Sequence, residues 1–194
     1  MPAALTWTPA NVITLVRIAL VPGVVAALVV DVDGGWRIVA GVLFAVAAIS
    51  DRVDGYLARR LDQVTDFGKL VDPIADKLLM GGTLVTLSAL GDLPWWVTVV
   101  IVARELGITA LRLAVLRYVV IPASRGGKLK TALQSVGIGL FVLPLDQLPD
   151  VVTQVAWVIV LAAVVVTLVT GADYVRRGLA VRRAAGAGAP VPAE

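Results

Sequence analysis

Four aspartates, Asp51, Asp54, Asp72 and Asp76, stand inside one run, DRVDGYLARRLDQVTDFGKLVDPIADK, in a chain otherwise rich in apolar residues. Within a bilayer each carboxylate costs roughly 2.5–3.5 kcal/mol on insertion scales, so four together demand a compensating partner, most simply a pair of divalent cations. Asp51 and Asp54 are three residues apart and Asp72 and Asp76 four, which puts each pair on one face of its own helix. Two helices offering carboxylates at equal depth form an all-oxygen pocket for one or two Mg²⁺ or Mn²⁺ ions. Such ions are held jointly by carboxylates and substrate phosphates, so the pocket implies a phosphate-bearing ligand. Ala58 and Gly68 continue the acidic faces and leave room for something bulky, and Gly55 allows close backbone approach. Arg59, within about a turn of the first pair, is placed to neutralise that ligand's charge. Taken singly, any of these acids reads as a solvated helix end. Pro73 either kinks the second helix or sits in its first turn.

The elements that must position these groups are membrane helices. The chain has 194 residues, is 59% hydrophobic and has a mean hydropathy of +0.92, which places it among integral membrane proteins. Apolar stretches at 12–30, 38–49, 78–90, 94–116, 129–145 and 151–169 suggest an all-α architecture of six transmembrane helices, at roughly 20 residues per crossing. The second and third stretches reach that length only if they continue through the Asp-rich run, so the motif belongs within spans. A short N-terminal interfacial segment containing Trp7 precedes the first span, and Trp95 and Trp96 read as an interfacial belt. Residues 1–180 form one membrane domain without internal repeats, and 181–194 read as a disordered tail. With both termini on one side, that side receives Arg59, Arg60, Lys69, Arg112, Lys128, Lys130 and the basic residues of the tail, while the opposite loops offer only Arg37. The positive-inside bias then turns the aspartates and both termini to the cytoplasmic face of the plasma membrane. This charge favours anionic headgroups or phosphorylated substrates, with no nucleic-acid partner expected.

There is no cysteine and no histidine, which excludes thiol chemistry and zinc sites built from nitrogen and sulfur. Any metal must be a hard oxygen binder, and any proton acceptor a carboxylate, Lys or Tyr.

Asp51 to Asp76 matches D-x2-D-G-x2-A-R-x8-G-x3-D-x3-D, eight fixed positions in 26 residues, and so resembles the CDP-alcohol phosphatidyltransferases. That resemblance implies a polytopic enzyme of six membrane helices, working as a homodimer, that displaces CMP from a CDP-linked lipid. It implies that Asp51, Asp54, Asp72 and Asp76 hold two ions and that Asp76 is the general base. Gly55, Arg59, Thr65 and Gly68 would contact the CDP-lipid, with Ala58 lining the nucleotide pocket. Three further segments, PANVITLVRIALVP, ARELGITALR and GGKLKTALQ, resemble the family's phosphatidylglycerophosphate synthases, particularly actinobacterial ones. The implied reaction joins CDP-diacylglycerol and glycerol 3-phosphate.

The residues support a phosphorylated acceptor independently. Arg104 and Glu105 fall mid-span, and Arg112, Lys128 and Lys130 fall near the depth of the acids, so Arg104, Arg112, Lys128 and Lys130 form a basic pocket able to grip a phosphate. The plainer alternative pairs Arg104 with Glu105 alone and leaves both lysines to anchor headgroups. Asn11, Thr14 and Arg17 either touch the donor headgroup or serve in capping and snorkelling, and Gly81 and Gly82 permit close helix packing, between subunits or within one. Competing readings are a sibling enzyme acting on inositol phosphate, serine or phosphatidylglycerol, and a divalent-cation transporter using the acids as an ion path. A transporter has no use for Arg59 in phase with the acids.

Overall fold

The computed structural model describes the backbone of residues 9–31, 35–60, 66–115 and 125–186, with the side chains of these except 9–11, 51–70, 112–115, 125, 177 and 179–186. Among the described residues there are six α-helices and no strand: α1 Pro9–Val30, α2 Gly35–Arg60, α3 Asp66–Leu90, α4 Trp95–Val115, α5 Arg125–Val142 and α6 Asp150–Gly186. A 3-10 turn, Leu145–Gln147, precedes α6.

The second and third apolar stretches do continue through the acidic run, giving helices of 26 and 25 residues. A helix satisfies its own backbone, so extension into polar sequence costs less than ending it within an apolar layer. Pro73 lies well inside α3, not in its first turn, and leaves a carbonyl one turn earlier without its helical donor. α6 runs through 181–186, so the start of the segment expected to be disordered is helical. Residues 1–8 and 187–194 lie outside the described residues.

α1 packs on α2 and α3, and α6 packs on α5 and α4; α3 meets α4 and α5, and α2 meets α5, joining the two halves. The core between them holds Leu28, Phe44, Leu84, Leu87, Ile138 and Val160. Phe141 and Trp157 meet edge to face, with ring centroids 5.2 Å apart. Of the two adjacent glycines, Gly82 faces α1, where a Cβ would make an ordinary contact 3.5 Å from Val21 Cγ1. Val29, Ile38, Val42, Val99, Val158, Val165 and Val169 face outward instead. Among the described residues two helical segments, Val12–Val30 and Asp150–Arg176, are long and apolar enough to cross a membrane, and Gly35–Ser50 is a shorter apolar one. Trp95 and Trp96 are exposed at the start of α4.

One end of the bundle is closed by a polar clasp. Gly91, at φ +88°, ends α3 in the left-handed region, and the Asp92 N–H turns back to the Leu87 carbonyl at 3.0 Å. Arg37 donates to Asp92 Oδ2 at 2.6 Å and stands 3.6 Å from Asp31, whose other oxygen accepts from the backbone N–H groups of Trp36 and Arg37 as α2 begins.

Candidate active site

The acids lie at the opposite end. α2 and α3 touch, and only residues 61–65 separate them, so Asp54, six residues before the end of α2, and Asp72, six after the start of α3, stand about 9 Å along their axes from the connection. Asp51, Asp54, Gly55, Ala58, Arg59 and Gly68 are placed by the helices that carry them; their side-chain geometry and Thr65 altogether lie outside what is described. For Asp72 the surroundings are defined. The Thr14 hydroxyl of α1 donates to its Oδ1 at 2.6 Å. Thr14 is buried well inside α1, so it is not a cap, and Arg17, one turn further on, is only 1% exposed. Arg17 therefore does not snorkel to a headgroup layer: its guanidinium is packed in the protein, where a buried cation needs polar company.

Asp76 opens on a different space. It lines a cleft of about 90 Å³ between α3, α4 and α5, shared with Gly81, Glu105, Lys130, Thr131 and Gln134. Glu105 Oε1 accepts from Lys130 Nζ and, at 3.1 Å, from Arg104 Nη1. Arg104 Nη2 donates to Thr170 Oγ1 of α6 at 3.1 Å, and Gln134 Nε2 stands 3.4 Å from Thr167 Oγ1. α6 makes room for the arginine with Gly171, where a Cβ would come within 3.3 Å of Arg104 Cγ. The pairing of Arg104 with Glu105 is thus real, and Lys130 shares it.

Of the four expected acceptor residues, the structure brings Arg104 and Lys130 together through Glu105. Lys128 is exposed on another face of α5 and does not line the cleft, because positions two apart on a helix point apart. The Arg112 side chain lies outside the described residues. Sequence reasoning passed over Thr167 and Thr170, although two hydroxyls three residues apart in an apolar run are a readable sign of a polar lining.

The donor chemistry suits a hard divalent ion, since Asp72 and Asp76 offer only oxygen and the chain has neither His nor Cys. Among the described residues no three acidic side chains gather, and those of Asp51 and Asp54 are not among them.

Comparison with known proteins places this acid-and-base cleft in context. The family model for CDP-alcohol phosphatidyltransferase matches residues 7–169, which span both acidic helices and the cleft. The chain belongs to the CDP-alcohol phosphatidyltransferase family. This phosphatidyltransferase is 55% identical over 174 residues to the probable phosphatidylglycerophosphate synthase of Mycobacterium tuberculosis, covering 88% of this chain and 81% of that one. It is 36% identical to the CDP-diacylglycerol–glycerol-3-phosphate 3-phosphatidyltransferase of Bacillus subtilis, over 84% and 91% of the two chains. The like-named protein of Rickettsia bellii is 35% identical over the same shares. Family and apolar helices together make the phosphatidyltransferase a membrane enzyme.

Proposed function

We propose that this enzyme transfers the phosphatidyl group of CDP-diacylglycerol to sn-glycerol 3-phosphate, giving phosphatidylglycerol phosphate and CMP. The similarity to relatives named for that reaction supports it. The observation that carries the mechanism is the cleft where Asp76 of α3 and Lys130 of α5 share one space, an acid able to take a proton beside a cation able to hold a phosphate. Arg104, held behind Lys130, adds a second positive charge, and Arg112 a third from the end of α4. Lys128, exposed, is left to the headgroups.

Asp51, Asp54, Asp72 and Asp76 would hold two Mg²⁺ or Mn²⁺ ions, which when bound neutralise charge on the pyrophosphate and on the leaving CMP. Gly55, Ala58, Arg59, Thr65 and Gly68 receive the CDP-lipid, with Arg59 on its phosphates. Asp76 accepts the proton of the glycerol 3-phosphate hydroxyl as that oxygen bonds to the phosphorus nearest diacylglycerol. The bond from that phosphorus to the CMP oxygen breaks, and CMP leaves. Holding both substrates in one cleft removes much of the entropic barrier. The six helices cross the plasma membrane with the cleft and both termini on the cytoplasmic side, and two copies assemble.

The test is CMP release in detergent from CDP-diacylglycerol and a panel of acceptors: glycerol 3-phosphate, inositol phosphate, serine and phosphatidylglycerol. Glycerol 3-phosphate is expected to give the highest kcat/KM, and preference for another acceptor sinks the assignment. In the same assay Asp76→Asn is expected to lower kcat by about 10²-fold or more while CDP-lipid still binds. Wild-type turnover by that variant would remove Asp76 from the role of base.

A further inference from the structure

The acceptor cleft contains an acid of its own. One oxygen of Glu105 takes both Lys130 Nζ and Arg104 Nη1. Of the three side chains Glu105 is the most open, at 28% exposed against 13% for Arg104 and 6% for Lys130. Arg104 is tied from behind to Thr170 and is not among the residues lining the cleft, whereas Glu105 and Lys130 are. The carboxylate is therefore the member of the cluster that can move.

Two cations buried in a helical bundle are costly without an anion; Glu105 bonds both of them, and Asp76 is the other acid lining the cleft. A phosphate brings up to two charges and several acceptor oxygens, so it can take both donors at once and replace the carboxylate. An uncharged alcohol can do neither.

We infer that Glu105 is a resident counter-ion: it occupies the place of the acceptor's phosphate in the empty site, keeps Lys130 and Arg104 in position, and is displaced when a phosphorylated alcohol binds. This rests on reading the cleft as the acceptor site. Its consequence is selectivity. The exchange costs affinity for every acceptor, and only one carrying a phosphate recovers that cost, so Glu105 turns unphosphorylated alcohols away. The residue determines specificity and is not merely half of a structural ion pair.

The experiment is CMP release by the full chain in detergent at saturating CDP-diacylglycerol, with glycerol 3-phosphate varied and inorganic phosphate as competitor. Glu105→Gln keeps the shape and removes the charge. It is expected to lower both the acceptor KM and the inhibition constant of inorganic phosphate by about tenfold, equivalent to ~1.4 kcal/mol, with the donor KM unmoved. Glu105→Asp keeps the charge, so it tests the same point should the amide variant fail to fold. Its shorter side chain is expected to shift both constants the same way by less. Constants that rise or stay at wild type in the folded variants overturn the inference, because breaking a purely structural pair would loosen the site. Lys130→Gln separates the two failures. A raised acceptor KM there, with no gain in the Glu105 variants, sinks the resident counter-ion alone. An acceptor KM unmoved in Lys130→Gln sinks the acceptor-site reading along with it.

Discussion

The hydroxyl of Thr14 has one proton to give, and at 2.6 Å from Asp72 Oδ1 it gives it to the carboxylate. That fixes the carboxylate's rotation and leaves its second oxygen for another partner, the part that outer groups play for metal ligands generally. Thr14→Val keeps the volume and removes the donor. Its expected outcome is a rise of roughly tenfold or more in the Mg²⁺ concentration for half-maximal CMP release, and a matching weakening of Mn²⁺ binding measured by paramagnetic relaxation without substrate. A metal dependence equal to wild type in both measurements would show that the hydroxyl serves packing alone. That the acids ride in two pairs on two helices was legible from spacing, because residues three and four apart share a helix face whatever the tertiary structure does. Their partners were not. Thr14 lies 58 residues from Asp72, and Lys130 lies 25 from Glu105, so no local pattern links them. Snorkelling, one of the two readings open for Arg17, failed for the same reason: a lone arginine in an apolar run looks alike whether a neighbouring helix covers it or water does.

Among elements, the contact of α5 with α6 governs where Lys130 stands. A Cβ at Gly137 would fall 2.7 Å from Val160 Cγ2 and 3.3 Å from the Val160 backbone nitrogen, so an added methyl meets backbone that cannot step aside. Gly137→Ala is expected to cost about 1–3 kcal/mol, seen as a lower Tm in detergent. It is also expected to raise the acceptor KM more than the donor KM, because α5 carries Lys130 two turns away while the acids ride on α2 and α3. Gly107, with nothing within 4 Å of its Cβ position, provides the contrast: the same substitution there is expected to leave Tm unchanged or higher, as alanine favours helix by ~1 kcal/mol. Equal losses at the two sites would mean that the α5–α6 contact is no tighter than any other. The extents of the helices were largely readable, since α2 and α3 had to borrow polar sequence to reach span length. The pairing was not, because apolar faces in such a chain carry little information about which neighbour covers them; the adjacent pair Gly81 and Gly82 drew attention while Gly137, with no glycine directly beside it, makes the closer approach.

Across the whole molecule the helices alternate in direction, and chemistry separates by end. The starts of α1, α3 and α5 and the ends of α2, α4 and α6 share the end with Asp72, Asp76 and Lys130, whereas Arg37 with Asp31 and Asp92 closes the other. The basic residues crowd the first end, which the proposed orientation turns to the cytoplasm. The absence of cysteine makes this directly testable, since any cysteine introduced is unique. Gln147 lies in the turn before α6 and Lys128 near the start of α5, and both are exposed, so a difference in their labelling reports the membrane and not burial. In intact cells a membrane-impermeant maleimide is expected to modify Gln147→Cys and to spare Lys128→Cys until the membrane is opened. The reverse pattern would place the cleft outside the cell, away from cytoplasmic CDP-lipid, and labelling of both in intact cells would mean that the two ends do not face opposite sides. Lys128→Cys is expected to keep a wild-type acceptor KM as well, because its side chain is not among those lining the cleft; a rise would return that lysine to the phosphate site and require α5 to turn when substrate binds.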